Sequence, residues 1–385
     1  MSRLLVVARR AAFTLLMVGT IARGVASAQV TPAAGYTPPD DSQSIKLGAV
    51  VFYDFTKTLE PASKDADGNS FKPAVFNVSR AYINVTGNIS HVVAFRITPD
   101  ITRDTDNPSA LNGNLVYRIK YAFAQFNLDD WTGDWKGTWV RMGIQQTPFI
   151  DFMEGIYRYR FQGTIFEERE QVNGIMTSSD AGASFHTGLP NNYGEVHVGV
   201  YNGEGYAKAE VTSAKSFQIR GTVRPMATSS SMAARGLRVT FFYSGDNYLH
   251  SGTPRDRFVA SGTFEHRYFN LGLDYLNGTD QTAAASPKLE SKGWSFWVTP
   301  FFKEKGNGLE ALLRFDSFNP TKTAPLDNED RQRFIAGVAY WFPHPGGAAT
   351  AALLLDFEQV KFNNFPALPA NATQQRIALH GLINF

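Results

Sequence analysis

Thr373–Phe385 reads TQQRIALHGLINF, a segment of strictly alternating character. Ile377, Leu379, Gly381, Ile383 and Phe385 fall on one face of an extended strand, and Arg376, Ala378, His380, Leu382 and Asn384 on the other. Period-two alternation with one mostly apolar face marks a half-buried strand. The last residue is itself aromatic, with no polar tail after it.

From Ser44 onward the chain divides into about sixteen such segments of roughly ten residues or more, the length a tilted strand needs to cross a bilayer. In 45–55, Ile45, Leu47, Ala49, Val51, Tyr53 and Phe55 oppose Lys46, Gly48 and Asp54. Val93, Phe95 and Ile97 oppose Arg96, Thr98 and Asp100; Leu115, Tyr117, Ile119, Tyr121 and Phe123 oppose Arg118 and Lys120. The same division recurs around Asn270 and Asp274, around Glu310, Arg314 and Asp316, and around Asp356 and Glu358. At 172–189 and 290–303 either parity fits. Long polar connections at 56–73, 102–112, 148–171, 203–213, 245–256, 278–290, 318–330 and 362–373 alternate with shorter turns, although the turn at 226–235 is longer than its fellows. Long loops on one side and short turns on the other are characteristic of outer-membrane barrels. A soluble all-β domain also alternates, but its inner face lies in a dry core. Here the inner face carries Arg, Lys, Asp and Glu on strand after strand, and burying them unpaired is prohibitive. The expectation is an all-β, transmembrane antiparallel barrel whose charges stand in a watery lumen, with an apolar face toward outer-membrane lipid.

The N-terminus fits export. Arg3, Arg9 and Arg10 precede an apolar run from Ala11 to Ala22, and Ala26-Ser27-Ala28 is an A-x-A cleavage site. Residues 1–28 are thus expected to be a signal peptide, 29–43 a periplasmic tail or linker, and 44–385 the barrel. Removing four Arg (3, 9, 10 and 23) leaves 33 basic against 35 acidic residues, so the mature chain carries 33 − 35 = −2. Overall charge therefore gives no reason to expect a nucleic-acid partner. Cysteine is absent, mean hydropathy is −0.22, and no apolar run of bilayer length follows the signal, which excludes helical spans.

The closing strand with its terminal Phe385 is similar to the signal read by the outer-membrane barrel-assembly machinery. Three further stretches resemble the family of phosphate-selective porins O and P. They are Arg80-Ala81-Tyr82 leading to Val85-Thr86-Gly87, then Gly143 to Phe149 (GIQQTPF), then Val200 to Gly205 (VYNGEG). The resemblance implies a sixteen-stranded, usually trimeric porin whose third external loop folds into the channel. That loop would be 148–171, and its mixture of aromatics with charge suits a constriction, with a surface lid or a subunit contact as alternatives. Its candidate constriction residues are Asp151, Glu154, Arg158, Arg160, Glu167 and Glu168, with the acids facing the channel.

Strand parity nominates Lys46, Arg80, Arg96, Arg118, Lys120, Arg141, Arg220, Arg224 and Arg238 as a basic pore lining, facing Glu310, Asp316, Asp356 and Glu358 across a transverse field. Arginine suits bidentate contact with phosphate or carboxylate. The resulting expectation is a passive channel for small hydrophilic solutes, favouring anions such as phosphate, with no cofactor and no energy coupling. The alternative is a barrel enzyme or adhesin with a blocked lumen. No catalytic group is nominated: Ser184 and His186 share a face, but there is no G-x-S-x-G elbow and no acid to orient the histidine. The seven histidines lack metal-ligand spacing, and Asp65-Ala66-Asp67-Gly68-Asn69 lacks the calcium-loop glutamate, its place being taken by Phe76.

Overall fold

In the computed structural model the described residues are 41–104, 107–169, 175–249, 252–321, 329–343, 350–365, 368 and 372–385. The expected signal peptide and most of the tail lie outside them. Sixteen strands form one closed antiparallel barrel. They are β1 (Ser44–Glu60), β2 (Ala74–Asn88), β3 (Val93–Arg103), β4 (Leu115–Asn127), β5 (Trp139–Gln146), β6 (Ser179–Gly188), β7 (Gly194–Tyr201) and β8 (Ser216–Val223). The circuit continues through β9 (Leu237–Gly245), β10 (Arg255–Glu265), β11 (Phe269–Asp280), β12 (Leu289–Pro300), β13 (Gly308–Asn319), β14 (Asp330–Trp341), β15 (Thr350–Asn363) and β16 (Ala372–Asn384). β16 closes on β1 with Ile383 opposite Val51 and Leu379 opposite Phe55. The backbone of Phe385 exchanges two 2.9 Å hydrogen bonds with Ala49.

Closure follows from the alternation. Ile45, Leu47, Ile97, Tyr117, Leu273, Leu313, Leu355, Ile377, Leu379 and Ile383 are exposed on the outside, as their parity predicts. Aromatics collect toward both rims. Tyr117, Phe217, Tyr243 and Phe258 stand toward the long-loop end, and Trp131, Trp135, Tyr193, Tyr268, Phe302 and Phe342 toward the short-turn end. An apolar exterior between two aromatic girdles is the surface of a membrane-spanning barrel. The short turns use residues that tolerate left-handed backbone: Asn191 and Asn192 take φ of 56° and 61° between β6 and β7. The long turn at 226–235 holds one short helix, Met232–Arg235, capped by the Ser231 hydroxyl.

Two departures from simple alternation reset the inner face. Thr98 pairs with Tyr121 while Pro99 pairs with Ile119, so Lys120 is an extra residue, a bulge. Beyond it the parity of β4 inverts. Tyr121 and Phe123, expected outside, are buried on the inside with Gln125. Ser79 is a second bulge, between the pairs Phe52–Arg80 and Tyr53–Val78. A bulge adds one residue to one strand and swaps faces after it.

The loop between β5 and β6 spans 147–178, longer than the 148–171 read from the sequence, and β6 begins at Ser179. Its helix α1 (Ile150–Tyr157) packs on β11, with the Asn270 side chain donating to the Ile156 carbonyl at 3.2 Å. Phe149, Ile150, Met153, Ile156, Tyr157, Tyr159, Phe161, Ile165 and Phe166 are all buried. They meet an apolar patch on the inner wall formed by Phe52, Phe242, Val259, Leu276, Trp297, Leu312, Phe318, Ile335, Trp341 and Leu354. An apolar patch facing a lumen must be covered to leave water, and this loop covers it. The loop's apolar residues and this patch on the inner wall thus bury each other.

Candidate functional site

The other half of the inner wall is basic. Strands β2–β5 place Arg80, Arg96, Arg118, Lys120 and Arg141 inward, and Asp100 is the one carboxylate on those four strands. Near the waist these cations are not in open water: Lys120 is 0% exposed, Arg96 2% and Arg141 5%. Aromatic faces and neutral acceptors take the place of water. The Arg141 guanidinium lies 3.9 Å from the Trp139 ring centroid and 4.6 Å from that of Phe123, and its Nε donates to Gln125 at 2.7 Å. Arg96 stacks on Tyr121 at 4.4 Å and donates to Thr98 and Asn84 at 2.9 and 2.8 Å. Lys120 donates to the Tyr82 hydroxyl at 3.1 Å, with the rings of Tyr82, Tyr121 and Tyr206 within 5.7 Å. A desolvated cation over a ring face gains about 2 kcal/mol or more, which offsets part of the cost of removing it from water. The expectation of solvated lumen charge is corrected at these three residues, and the bulge at Lys120 is the reason: it turns Tyr121 and Phe123 inward.

Arg80 and Arg118 sit higher, toward the long-loop mouth, and keep more solvent contact: 26% and 29% of their side chains are exposed. Both address Asp100, at 3.4 and 4.0 Å. They help line a cavity of about 730 Å³, a vestibule that also touches Glu168, Tyr206, Phe242, Arg255 and Arg257. Its rim arginines are paired, Arg257 with Asp280 at 2.7 Å and Arg255 with Asp246.

The remaining basic candidates serve other ends. Arg220 donates to the Pro148 carbonyl at 2.7 Å and pairs with Glu195 at 2.6 Å, so it anchors the start of the loop. Arg238 pairs with Glu265 at 2.5 Å. Arg224 lies beyond the end of β8, in the turn, and donates to the Arg235 carbonyl; its nomination as a wall residue is corrected. Lys46 is exposed near the short-turn rim.

Of the loop candidates, Asp151 and Glu168 keep partial exposure. Glu154 and Arg160 pair at 2.6 Å, both buried. Arg158 pairs with Glu310 at 3.3 Å, and Glu310 also accepts from the Tyr159 hydroxyl at 2.7 Å and the Gly306 amide at 2.6 Å. Glu167 is fully buried, with Asp274, Arg314 and Asp316 as charged neighbours. Glu154 and Glu167 thus do not face a channel as expected, because the loop lies flat and turns them into packing. The acidic far wall is corrected too: Asp316 is held by Arg314 at 2.7 Å, Glu358 by Arg333 and Arg376 at 3.1 and 2.6 Å, and Asp356 lies 3.4 Å from His380. Glu310, Asp316 and Glu358 each have a local arginine, two of them in the case of Glu358, so four arginines stand among the four far-wall acids and no net negative wall opposes the basic one. Sequence reasoning missed Tyr82, Trp139 and Tyr206; Tyr82 and Trp139 had a legible signal, each sharing a strand face with an arginine two residues away, Arg80 and Arg141.

His186 and His197 face each other across paired strands beside Trp139, and Ser184 donates to Gln145 at 2.6 Å rather than to a histidine. Among the described residues no group of three or more His, Cys, Asp or Glu is placed to hold a metal ion.

No protein-family model and no curated protein sequence matches the chain. Solved structures do. It is similar to the anion-selective porin from Comamonas acidovorans, with TM-score 0.59 and 13% identity over 89% of this chain and 100% of that one. It is similar to the outer membrane channel DcaP of Acinetobacter baumannii, with TM-score 0.56 and 12% identity over 92% and 100%. A loop L8 deletion mutant of OmpT, an outer membrane protein of Vibrio cholerae, gives 0.56 and 12% over 90% and 100%. What this chain shares with all three is the fold, that of a porin barrel.

Proposed function

We propose that the protein is a porin of the bacterial outer membrane, a passive diffusion channel for small hydrophilic solutes that favours anions in the range of phosphate. The observation that carries this reading is the imbalance on β2–β5, five inward cations against one carboxylate. The loop adds Arg160 with Asp151, Glu154 and Glu168, so waist and vestibule floor together hold six cations and four carboxylates, 6 − 4 = +2. Charge at close quarters sets ion preference. The apolar exterior supports the membrane assignment, and the anion-selective name of one structural neighbour agrees with the sign. A homotrimer is part of the reading on the strength of the sequence resemblance.

Reversal potential across a KCl gradient in a planar bilayer tests it. The wild type should prefer chloride. Arg80→Ser with Arg118→Ser brings the count to 4 − 4 = 0 and should abolish the preference; a cation-selective wild type refutes the reading. The close packing at the waist favours a second reading, a barrel whose lumen stays shut until the loop moves, and a wild type with no conductance would select it.

A further inference from the structure

We propose that the vestibule floor is a binding site for a small organic monocarboxylate, its carboxylate held by Arg80 and Arg118 and its flat apolar body stacked on Tyr206. This deepens the channel reading by naming the class of anion.

Tyr206 reaches the floor through a built turn. Gly203 and Gly205 take φ of 104° and 79°, the left-handed region that favours glycine. A Cβ on Gly203 would come within 2.5 Å of Asp246 Oδ2, and one on Gly205 within 2.9 Å of Thr177 Oγ1. Asp180 accepts from the Gly203 amide at 2.7 Å, and the Tyr206 amide donates to the Ser179 carbonyl at 3.1 Å. The loop after β7 is thus pinned back over β6, and Tyr206 is delivered to Arg118. Arg118 Nη2 donates to its hydroxyl at 2.8 Å, and the guanidinium carbon lies 4.6 Å from its ring centroid. The VYNGEG stretch has a structural task here, to aim one aromatic at the basic floor.

Charge and lining together favour a monocarboxylate over the phosphate dianion. Arg80, Arg118, Lys120 and Arg160 cluster with Asp100, Glu154 and Glu168, giving 4 − 3 = +1. One negative charge neutralises that floor. A phosphate dianion would leave an excess beside Asp100, which is fully buried and fixed. The cavity is also far from wholly polar: Phe242, Ile175 and Met176 line it with Tyr206. Binding sites of this kind combine an apolar lining with a few convergent polar groups, and a planar carboxylate suits paired guanidinium groups.

The test uses the full-length barrel in a planar bilayer, measuring block of chloride current by benzoate, acetate and phosphate, alongside calorimetry of benzoate binding in detergent. Benzoate should block at a concentration about tenfold below acetate or phosphate, the scale of one aromatic stacking contact. Tyr206→Leu should erase that advantage, while Tyr206→Phe, which keeps the ring, should retain it. Phosphate blocking as well as benzoate, or a benzoate block unchanged in Tyr206→Leu, overturns the proposal. Absence of current with benzoate binding intact would sink the channel reading and leave the site standing; current without a benzoate effect would do the reverse.

Discussion

Glu310→Ala should release the inner loop. Glu310 is the hub of that loop's docking: it accepts from Tyr159 and from the Gly306 amide, and it pairs with Arg158, whose side chain is 1% exposed. Deleting one member of a buried pair costs about 3–5 kcal/mol, because the other charge is left uncompensated. Arg158 keeps some compensation, since its guanidinium stands 4.3 Å from the Trp341 ring centroid and 5.6 Å from that of Phe301, and desolvated cation–π contact contributes about 1–2 kcal/mol. The net loss of about 1–4 kcal/mol corresponds to roughly a 5- to 700-fold larger undocked fraction, at about 1.4 kcal/mol per tenfold. Two readouts follow. Single-channel records should show excursions to a higher conductance, and trypsin should nick after Arg158 or Arg160, both buried while the loop is docked. Glu310→Gln keeps an acceptor for Tyr159 and should loosen the loop by about tenfold or less. The double variant R158M/E310L should dock nearly as well as the wild type, since apolar replacement of a buried pair is often close to neutral. Tryptic nicking in Glu310→Ala no faster than wild type would refute the anchor, as would a double variant as loose as the single one.

Gly143 has φ of 127°, and a Cβ there would lie 2.3 Å from the Ala122 carbonyl oxygen and 2.9 Å from the Phe123 Cα. Gly143→Val should therefore break the β4–β5 pairing and destabilise the barrel by more than about 2 kcal/mol. Loss of the fast-migrating folded band in unboiled gel electrophoresis reads this, and a wild-type band would contradict it. His91, in the turn after β2, bonds Asp41 at 2.5 Å and Asp130 at 2.8 Å, and the Asp41 hydrogen bond, then that of Asp130, raises its pKa above the ordinary 6.5. A raised pKa means the clamp between residue 41 and the β4–β5 turn is fully formed below pH 6.5 and is lost as pH climbs through the raised value. Histidine NMR in detergent should place the His91 titration above 6.5, with Asp41→Asn lowering it; a titration at or below 6.5 would disprove the clamp.

What could be read from the chain alone depended on how local the cause was. Alternation is a property of neighbouring residues, so Leu271, Leu273 and Tyr275 were assigned outward and Asn270 and Asp274 inward, as found. The Lys120 bulge is not local in that sense. Nothing in Arg118-Ile119-Lys120-Tyr121 announces that Thr98 and Pro99 on β3 will skip a residue, so Tyr121 and Phe123 were placed on the wrong face. Ion pairing was equally hidden. Arg158 and Glu310 are 152 residues apart, and Gln162 donates to Glu358 across 196. A row of inward acids therefore reads as a negative wall, although Glu310, Asp316 and Glu358 have arginine partners. The apolar part of the inner face is masked by the charges beside it: Leu312 stands between Glu310 and Arg314, and Leu354 beside Asp356, on the same parity.

That apolar half explains the distribution of charge in the whole lumen. A loop rich in aromatics would cost free energy to hold in water, and so would the patch formed by Leu276, Trp297, Leu312, Ile335 and Leu354; joined, each removes the other's exposure. Docking then fixes the fate of the loop's polar groups. Tyr159, Arg158 and Gln162 reach far-wall carboxylates, and the Thr164 carbonyl accepts from Arg314 at 2.9 Å. The charges that could have opposed the basic wall are thereby consumed in packing. On β2–β5 the cations lean chiefly on tyrosine and tryptophan faces, with Asp100 as the carboxylate those strands supply. A ring face offsets desolvation without cancelling charge, whereas a carboxylate does both. On the proposed channel reading, the basic wall is buried and still presents a positive potential to the lumen.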